Sequence, residues 1–224
     1  MGTGDSVPEA LKLLGATVIP LSADDLSFGN FARFDVIMTG IRAYEVRKDL
    51  LTNHNRLMEF VKNGGLMIVQ YSRARTGNPI PGPYPMAQTS EARVSVEDAP
   101  VEILEPVDPF FQEPNRISPD DFKGWVQERG LYFMDSWAPE YRPLLSSNDP
   151  GEPPQKGGML LATYGKGIYV YTAYVWNRQL PAGVPGAYRI LANMVSLGKT
   201  DSFDSQLPSK PARPRLRPSP PSTP

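Results

Sequence analysis

The stretch Phe34–Glu45, reading F-D-V-I-M-T-G-I-R-A-Y-E, constrains the fold more than any other. Asp35–Thr39 is a short, nearly continuous apolar run, and Gly40 follows where a tight turn is expected. Such a run, bounded by turn signals, suits a strand buried on both faces of a parallel sheet. Arg42, Tyr44 and Glu45 come at once after the turn, where open α/β sheets present polar groups to ligands. The same logic repeats downstream. Gly64-Gly65 ends a helix, Leu66–Val69 is a second apolar run, and Gln70-Tyr71 sits at its end.

The intervening segments supply the rest of an α/β order. Asp5 or Ser6 can cap a first helix with Pro8 in its first turn and Gly15 at its C′ position. Leu11 and Leu14 form its expected apolar face, with Val7 near the entry. Ala16–Leu21, with β-branched Thr17, Val18 and Ile19, reads as a strand. Ser22-Ala23-Asp24-Asp25-Leu26 has the grammar of a capped helical turn. Ala43–Lys62 reads as a helix broken near Leu51–Asn53. From Gly15 to Tyr71 the order is β, short α, β, α, β, which implies a parallel sheet. A doubly wound chain normally opens on a strand, whereas this one opens on a helix, so the first strand is expected to be missing.

Ser72–Thr89 is a long loop carrying Pro79, Pro81, Pro83 and Pro85, and such loops are usually functional or mobile. Ala92–Val96, Val101–Leu104, Leu131–Met134 and Arg142–Ser146 are predicted as short strands. Met159–Thr163 and Ile168–Ala173 flank Tyr164-Gly165-Lys166-Gly167, a hairpin signal. Pro185 opens a last helix with Ile190, Leu191, Met194, Val195 and Leu197 inward, ended by Gly198. The expected organisation is one α/β domain over residues 1–198, followed by a Pro-rich basic tail over 199–224 that is expected to be disordered.

Composition removes several chemistries. The 224 residues contain no cysteine, which excludes thiol nucleophiles, disulfides and thiolate metal sites. His54 is the only histidine, which excludes His-clustered metal sites and Ser–His triads. With 23 basic and 24 acidic residues the formal charge is −1, so nucleic acid is not an expected partner. No apolar run approaches the roughly 18 residues of a membrane span, and Met1–Leu14 lacks the pattern of a signal peptide. No cofactor, metal ligand set or catalytic motif is predicted. Ser72 lacks a G-x-S-x-G context. Asp24-Asp25 and Asp120-Asp121 stand at helix starts, where capping accounts for them better than metal binding. His54 is expected on an exposed helical position.

Several linked motifs resemble a known family. They include Gly4-Asp5-Ser6-Val7-Pro8, Ser22-Ala23-Asp24-Asp25-Leu26, Gly40-Ile41-Arg42-Ala43-Tyr44-Glu45 and Asn63-Gly64-Gly65 through Gln70-Tyr71. Val96-Glu97-Asp98-Ala99-Pro100, Trp125-Val126-Gln127-Glu128-Arg129-Gly130 and Asp149-Pro150-Gly151-Glu152-Pro153-Pro154 continue the series. Together they resemble the class I glutamine amidotransferase-like (ThuA-like) domain fused C-terminally to bacterial PIG-L/LmbE-type N-acetylglucosaminyl deacetylases, over about Gly2–Leu197. The resemblance implies a flavodoxin-like, doubly wound, mostly parallel sheet with a β-hairpin near the C-terminus. It also implies an upstream deacetylase domain, in cis or as a separate chain, that carries the zinc and the sugar chemistry, a bacterial source, export or a periplasmic setting of the parent proteins, and a fragment or split gene product. A true amidotransferase needs a Cys on a nucleophile elbow, and none exists, so glutaminase chemistry is not implied.

By topology, the segments after Thr39, Val69 and Ala173 should meet at one sheet edge. That gathers Arg42, Tyr44, Glu45, Gln70, Tyr71, Trp176, Arg178 and Gln179, with Glu128 and Arg129 from the Trp125–Gly130 motif. Arg offers a bidentate fork, aromatic faces stack on a ring, and Glu or Gln accepts hydroxyl protons. These suit a sugar- or carboxylate-binding pocket. The alternative is structural ion pairing by Arg42–Glu45 and Glu128–Arg129. Trp125, Trp137 and Trp176 are read either as a carbohydrate platform or, more commonly, as core. The expected role is a non-catalytic accessory domain for a deacetylase, through domain packing or glycan binding. The alternatives are a sugar-directed hydrolase or isomerase using Glu45 or Glu128, and an oligomerisation module that pairs through an exposed sheet edge.

Overall fold

Leu66–Gln70 is buried at every position, as expected for a strand covered on both faces. It occupies an inner position of a five-stranded mixed sheet. The computed structural model describes residues 5–73 and 80–199. The expectations for Pro79 and for the tail from residue 200 onward fall outside the described residues.

In chain order the strands are β1 (Val36–Thr39), β2 (Leu66–Gln70), β3 (Met86–Ala87), β4 (Arg93–Val94), β5 (Val101–Ile103), β6 (Gly130–Leu131), β7 (Ser136–Trp137), β8 (Arg142–Pro143), β9 (Leu145–Ser147), β10 (Met159–Tyr164) and β11 (Gly167–Thr172). The helices are α1 (Val7–Leu13), α2 (Ala23–Phe28), α3 (Ala43–Val46), α4 (Lys48–Thr52), α5 (His54–Lys62), α6 (Trp176–Gln179) and α7 (Pro185–Ser196). The main sheet has the order β1-β2-β11-β10-β8. β2 runs parallel to both β1 and β11. β10 pairs antiparallel with β11 and with β8. The fold is therefore α/β with a mixed sheet. The predicted hairpin forms with Tyr164 opposite Gly167. Three two-stranded ladders, β3/β7, β4/β6 and β5/β9, belong to the long excursion between β2 and β11.

Helix α5 buries Leu57, Met58, Phe60 and Val61 against β2 and β11. At about 1.5–3 kcal/mol for each large apolar side chain, this stripe outweighs the helix propensity of nine residues. Gly64 takes φ 104° after the helix. A Cβ on Gly65 would lie 2.3 Å from the Phe60 ring, so both glycines of the pair are required. The predicted long helix from Ala43 is divided twice, at Arg47 and at Asn53. Helix α7 packs over the 3₁₀ turns Pro109–Phe111 and Pro119–Phe122. Asn193, fully buried on α7, donates to the carbonyls of Phe110 and Asn115, both at 2.7 Å.

In each acidic pair at a helix start the second residue caps. Ser22 and Asp25 form a capping box, as do Ser118 and Asp121. In α1 the buried positions are Val7 and Ala10, with Leu14 40% exposed, so the apolar face is rotated from the predicted one. Ala16 N–H bonds the Leu11 carbonyl and Gly15 N–H that of Lys12, which closes the helix as a Schellman turn.

The predicted strand Ala16–Leu21 does not form. No described strand lies on the open side of β1 to pair with it. β-Propensity spans only about 1 kcal/mol and cannot hold a strand without a ladder. His54 is half-buried rather than exposed. Its Nδ1 lies 3.2 Å from Tyr44 Oη, and burial holds its pKa below the ordinary 6.5. The unfolded chain then binds the proton more readily than the folded one, so stability falls as pH drops below about 6.5. Thermal unfolding followed from pH 7.5 to 5 should show this loss, and a His54→Phe variant should flatten it.

Candidate functional site

The carboxyl ends of β1, β2 and β11 lie side by side, and the chain leaves each of them through polar residues. After β1, Arg42 takes φ 55°, ψ 17°, a left-handed conformation. Gly40, where the turn was expected, is not among the left-handed glycines. Arg42 N–H donates to the Tyr71 carbonyl at 2.7 Å, which ties the exit of β1 to that of β2. The Arg42 guanidinium meets Glu45 through two bonds of 3.0 and 2.7 Å. Glu45 also accepts from the backbone N–H of Arg73 at 2.8 Å.

Placing Arg42 in the left-handed region costs on the order of 1–3 kcal/mol. An ion pair whose arginine side chain is 45% exposed contributes less than about 1 kcal/mol. The pair alone does not offset the strain, so structural ion pairing is an incomplete account of this turn. Among the described residues three non-glycine residues have positive φ: Arg42, Gln127 at 68° and Tyr132 at 65°. All three border this edge. Gln127 N–H donates to Glu97 at 2.7 Å, and its side-chain oxygen accepts from Arg178. The Tyr132 carbonyl accepts from Tyr171 Oη at 2.6 Å and Gln88 Nε2 at 2.8 Å, and its ring lies 5.9 Å from that of Tyr71. Strain of this kind concentrates where a surrounding structure holds a site in place.

Gln70 is fully buried. Its Nε2 donates to Asp5 Oδ2 at 2.7 Å and to the Thr39 carbonyl at 3.2 Å. Asp5 also accepts from Val7 N–H at 3.0 Å and faces the Ile41 backbone. Burial raises the Asp5 pKa above the ordinary carboxylate value, against the lowering effect of these bonds. Ser6 Oγ donates to the Asn177 carbonyl at 3.4 Å, which brings the start of α6 to the same place. Arg178 pairs with Glu128 at 3.0 Å, and Arg93 bonds the other Glu128 oxygen at 2.7 Å. Tyr71 is buried and its phenol pKa is raised chiefly by that burial, with Arg178, Glu128, Tyr132 and Arg42 all close enough to act on it.

Several buried polar atoms along this edge have no hydrogen-bond partner among the described residues: Thr39 Oγ1, Gln70 Oε1, Ser72 Oγ, Asn177 Oδ1 and Arg178 Nε. Leaving one such group unmade costs about 1–3 kcal/mol. Groups of this kind in a folded protein are met by ordered water or by a ligand.

Of the predicted residues, Arg42, Glu45, Gln70, Tyr71, Glu128 and Arg178 gather here. Tyr44 is buried and turned to His54. Trp176 is fully buried and donates its indole N–H to Thr172 Oγ1 at 2.9 Å. Its ring lies 5.5 Å from Trp125, which is also buried. These two tryptophans are core, and Trp137 is half-buried. Gln179 is spent on Val126, accepting its N–H at 2.8 Å and donating to its carbonyl at 2.9 Å. Among the described residues Arg129 pairs with no carboxylate. It donates to the carbonyls of Ala99 at 2.9 Å and Phe122 and covers the Trp125 ring at 5.6 Å, so the expected Glu128–Arg129 pair is replaced by Glu128 with Arg93 and Arg178. The sequence reading missed Asp5, Ser72, Gln127, Tyr132 and Asn177 as members of this edge. In the sequence Asp5 reads as a helix cap, and a left-handed Tyr132 leaves no composition signal.

No protein-family model matches the sequence, and no curated protein matches it. Among solved structures, the chain is similar to Cytoplasmic Protein STM3548 from Salmonella typhimurium at 15% identity and TM-score 0.51, covering 84% of each chain. It is similar to Cytoplasmic Protein STM1381 from Salmonella typhimurium LT2 at 13% identity and TM-score 0.53, covering 89% of each chain. A cold-adapted β-galactosidase from Rahnella sp. R3 aligns at 16% identity and TM-score 0.45, covering 89% of this chain and 26% of that one. At these identities the likeness to the two Salmonella proteins is one of fold, and the fold that it supports is α/β.

Proposed function

We propose that this chain is a non-catalytic, class I glutamine amidotransferase-like (ThuA-like) domain of flavodoxin-like topology that binds a glycan and serves a PIG-L-type deacetylase of N-acetylated sugars. The observation that carries the binding half is the set of unpartnered buried polar atoms at the carboxyl edge of three parallel strands. The non-catalytic half rests on the absence of cysteine from the sequence and on His54 being committed to Tyr44. The deacetylase partner is supported by the linked sequence motifs alone. Glu45 and Glu128 each already accept from two donors, and this favours a positioning role over acid/base chemistry for both.

The test uses the intact chain with N-acetylglucosamine and its short β-linked oligomers. The expected result is saturable binding with no release of acetate. Acetate release by this chain alone would overturn the accessory reading. Any other sugar turnover that is lost in Glu45→Gln or Glu128→Gln would replace it with an enzyme.

A further inference from the structure

Resting on that reading, we infer that the carboxyl-edge site takes an uncharged polyhydroxyl face of a sugar, read by the bare acceptor of Gln70, and discriminates against carboxylates and other anions. The orientation of the Gln70 amide is fixed by its neighbours. Its Nε2 meets a carboxylate oxygen of Asp5 and the Thr39 carbonyl, and a carbonyl can only accept. The oxygen Oε1 is therefore the atom left without a partner. The Asn177 amide, unpartnered at Oδ1, can offer an acceptor or a donor, Ser72 adds a hydroxyl that can donate or accept, and Arg178 Nε is a bare donor. Such a mixture needs groups that both donate and accept, and sugar hydroxyls do so.

The charges at the edge leave little for an anion. Arg42 is engaged by Glu45, and Arg93 and Arg178 are both engaged by Glu128. Asp5 stands 2.7 Å from the Gln70 amide. Three carboxylates thus balance three guanidiniums. An incoming carboxylate would face the Asp5 charge and the bare Gln70 oxygen, and would gain donors from Arg178 Nε and the Ser72 hydroxyl. Buried unpaired charge carries a far larger penalty than a neutral hydroxyl in the same place.

A matched pair of probes reads this directly: methyl β-D-glucopyranoside, and methyl β-D-glucuronide, in which the hydroxymethyl is replaced by a carboxylate. Titrated calorimetrically into the full chain, the glucoside is expected to bind at least tenfold more tightly than the glucuronide. Gln70→Met keeps the side-chain volume and removes the acceptor together with the donor to Asp5 and the Thr39 carbonyl, and is expected to weaken glucoside binding about tenfold. Asn177→Ala, at a half-buried position where the fold is not at stake, is expected to weaken it several-fold. Equal or tighter binding of the glucuronide would overturn this inference and leave glycan binding standing. So would glucoside binding that neither substitution changes. Failure of both probes, and of N-acetylglucosamine, to bind would overturn the inference together with the glycan-binding reading.

Discussion

Arg129→Ala is expected to lower stability by about 3–5 kcal/mol. The side chain is buried at 4% exposure and supplies the donors for two carbonyls, those of Ala99 and Phe122. Removing it leaves both acceptors unmade, at about 1–3 kcal/mol each, and opens a void beside the Trp125 ring. Burial pulls the guanidinium pKa downward, with Tyr174, Asp98 and Glu97 opposing, yet an arginine stays charged at any working pH. For a domain of this size the loss corresponds to a drop in melting temperature on the order of 10 °C. Arg129→Lys retains charge but cannot span both carbonyls with a planar fork, so it should recover less than half of the loss. A melting temperature within 2 °C of wild type for Arg129→Ala would show that these two bonds do not hold the fold together.

Trp176→Ala is expected to cost a similar amount, about 3–5 kcal/mol. The residue is fully buried, stacks edge-on with Trp125 at 5.5 Å and lies 6.3 Å from the Tyr174 ring. Trp176→Phe keeps most of the packing and deletes the donor to Thr172 Oγ1, so about 1–2 kcal/mol is expected from that change. The two variants together separate a core tryptophan from a sugar platform. A platform residue would lose binding and leave denaturant unfolding unchanged. A core residue shifts the urea midpoint in the order Ala, Phe, wild type.

Much of the main sheet was legible because burial leaves a periodic or continuous apolar signature. β1, β2 and the β10/β11 hairpin were each marked by apolar runs with glycine punctuation. Ala16–Leu21 carried the same local signal and failed for a non-local reason, the lack of a ladder partner among the described residues. The β3/β7 ladder, formed by Met86–Ala87 and Ser136–Trp137, was invisible because two-residue strands carry no periodicity. At the candidate site, topology placed Arg42, Gln70 and Arg178 at one edge. It could not say which side chains turn inward. Tyr44, Trp176 and Gln179 share that chain location and are consumed by packing or by backbone bonds. The left-handed backbone of Arg42, Gln127 and Tyr132 is a tertiary outcome, since none of these residue types favours it.

The most direct measurement is chemical-shift mapping of the ¹⁵N-labelled chain titrated with N-acetylglucosamine. Saturable shifts are expected, centred on the amides of Arg42, Tyr71, Ser72, Asn177 and Arg178. Shifts centred elsewhere, on Ala16–Leu21 or on the hairpin turn at Tyr164–Gly167, would contradict glycan binding at the carboxyl edge.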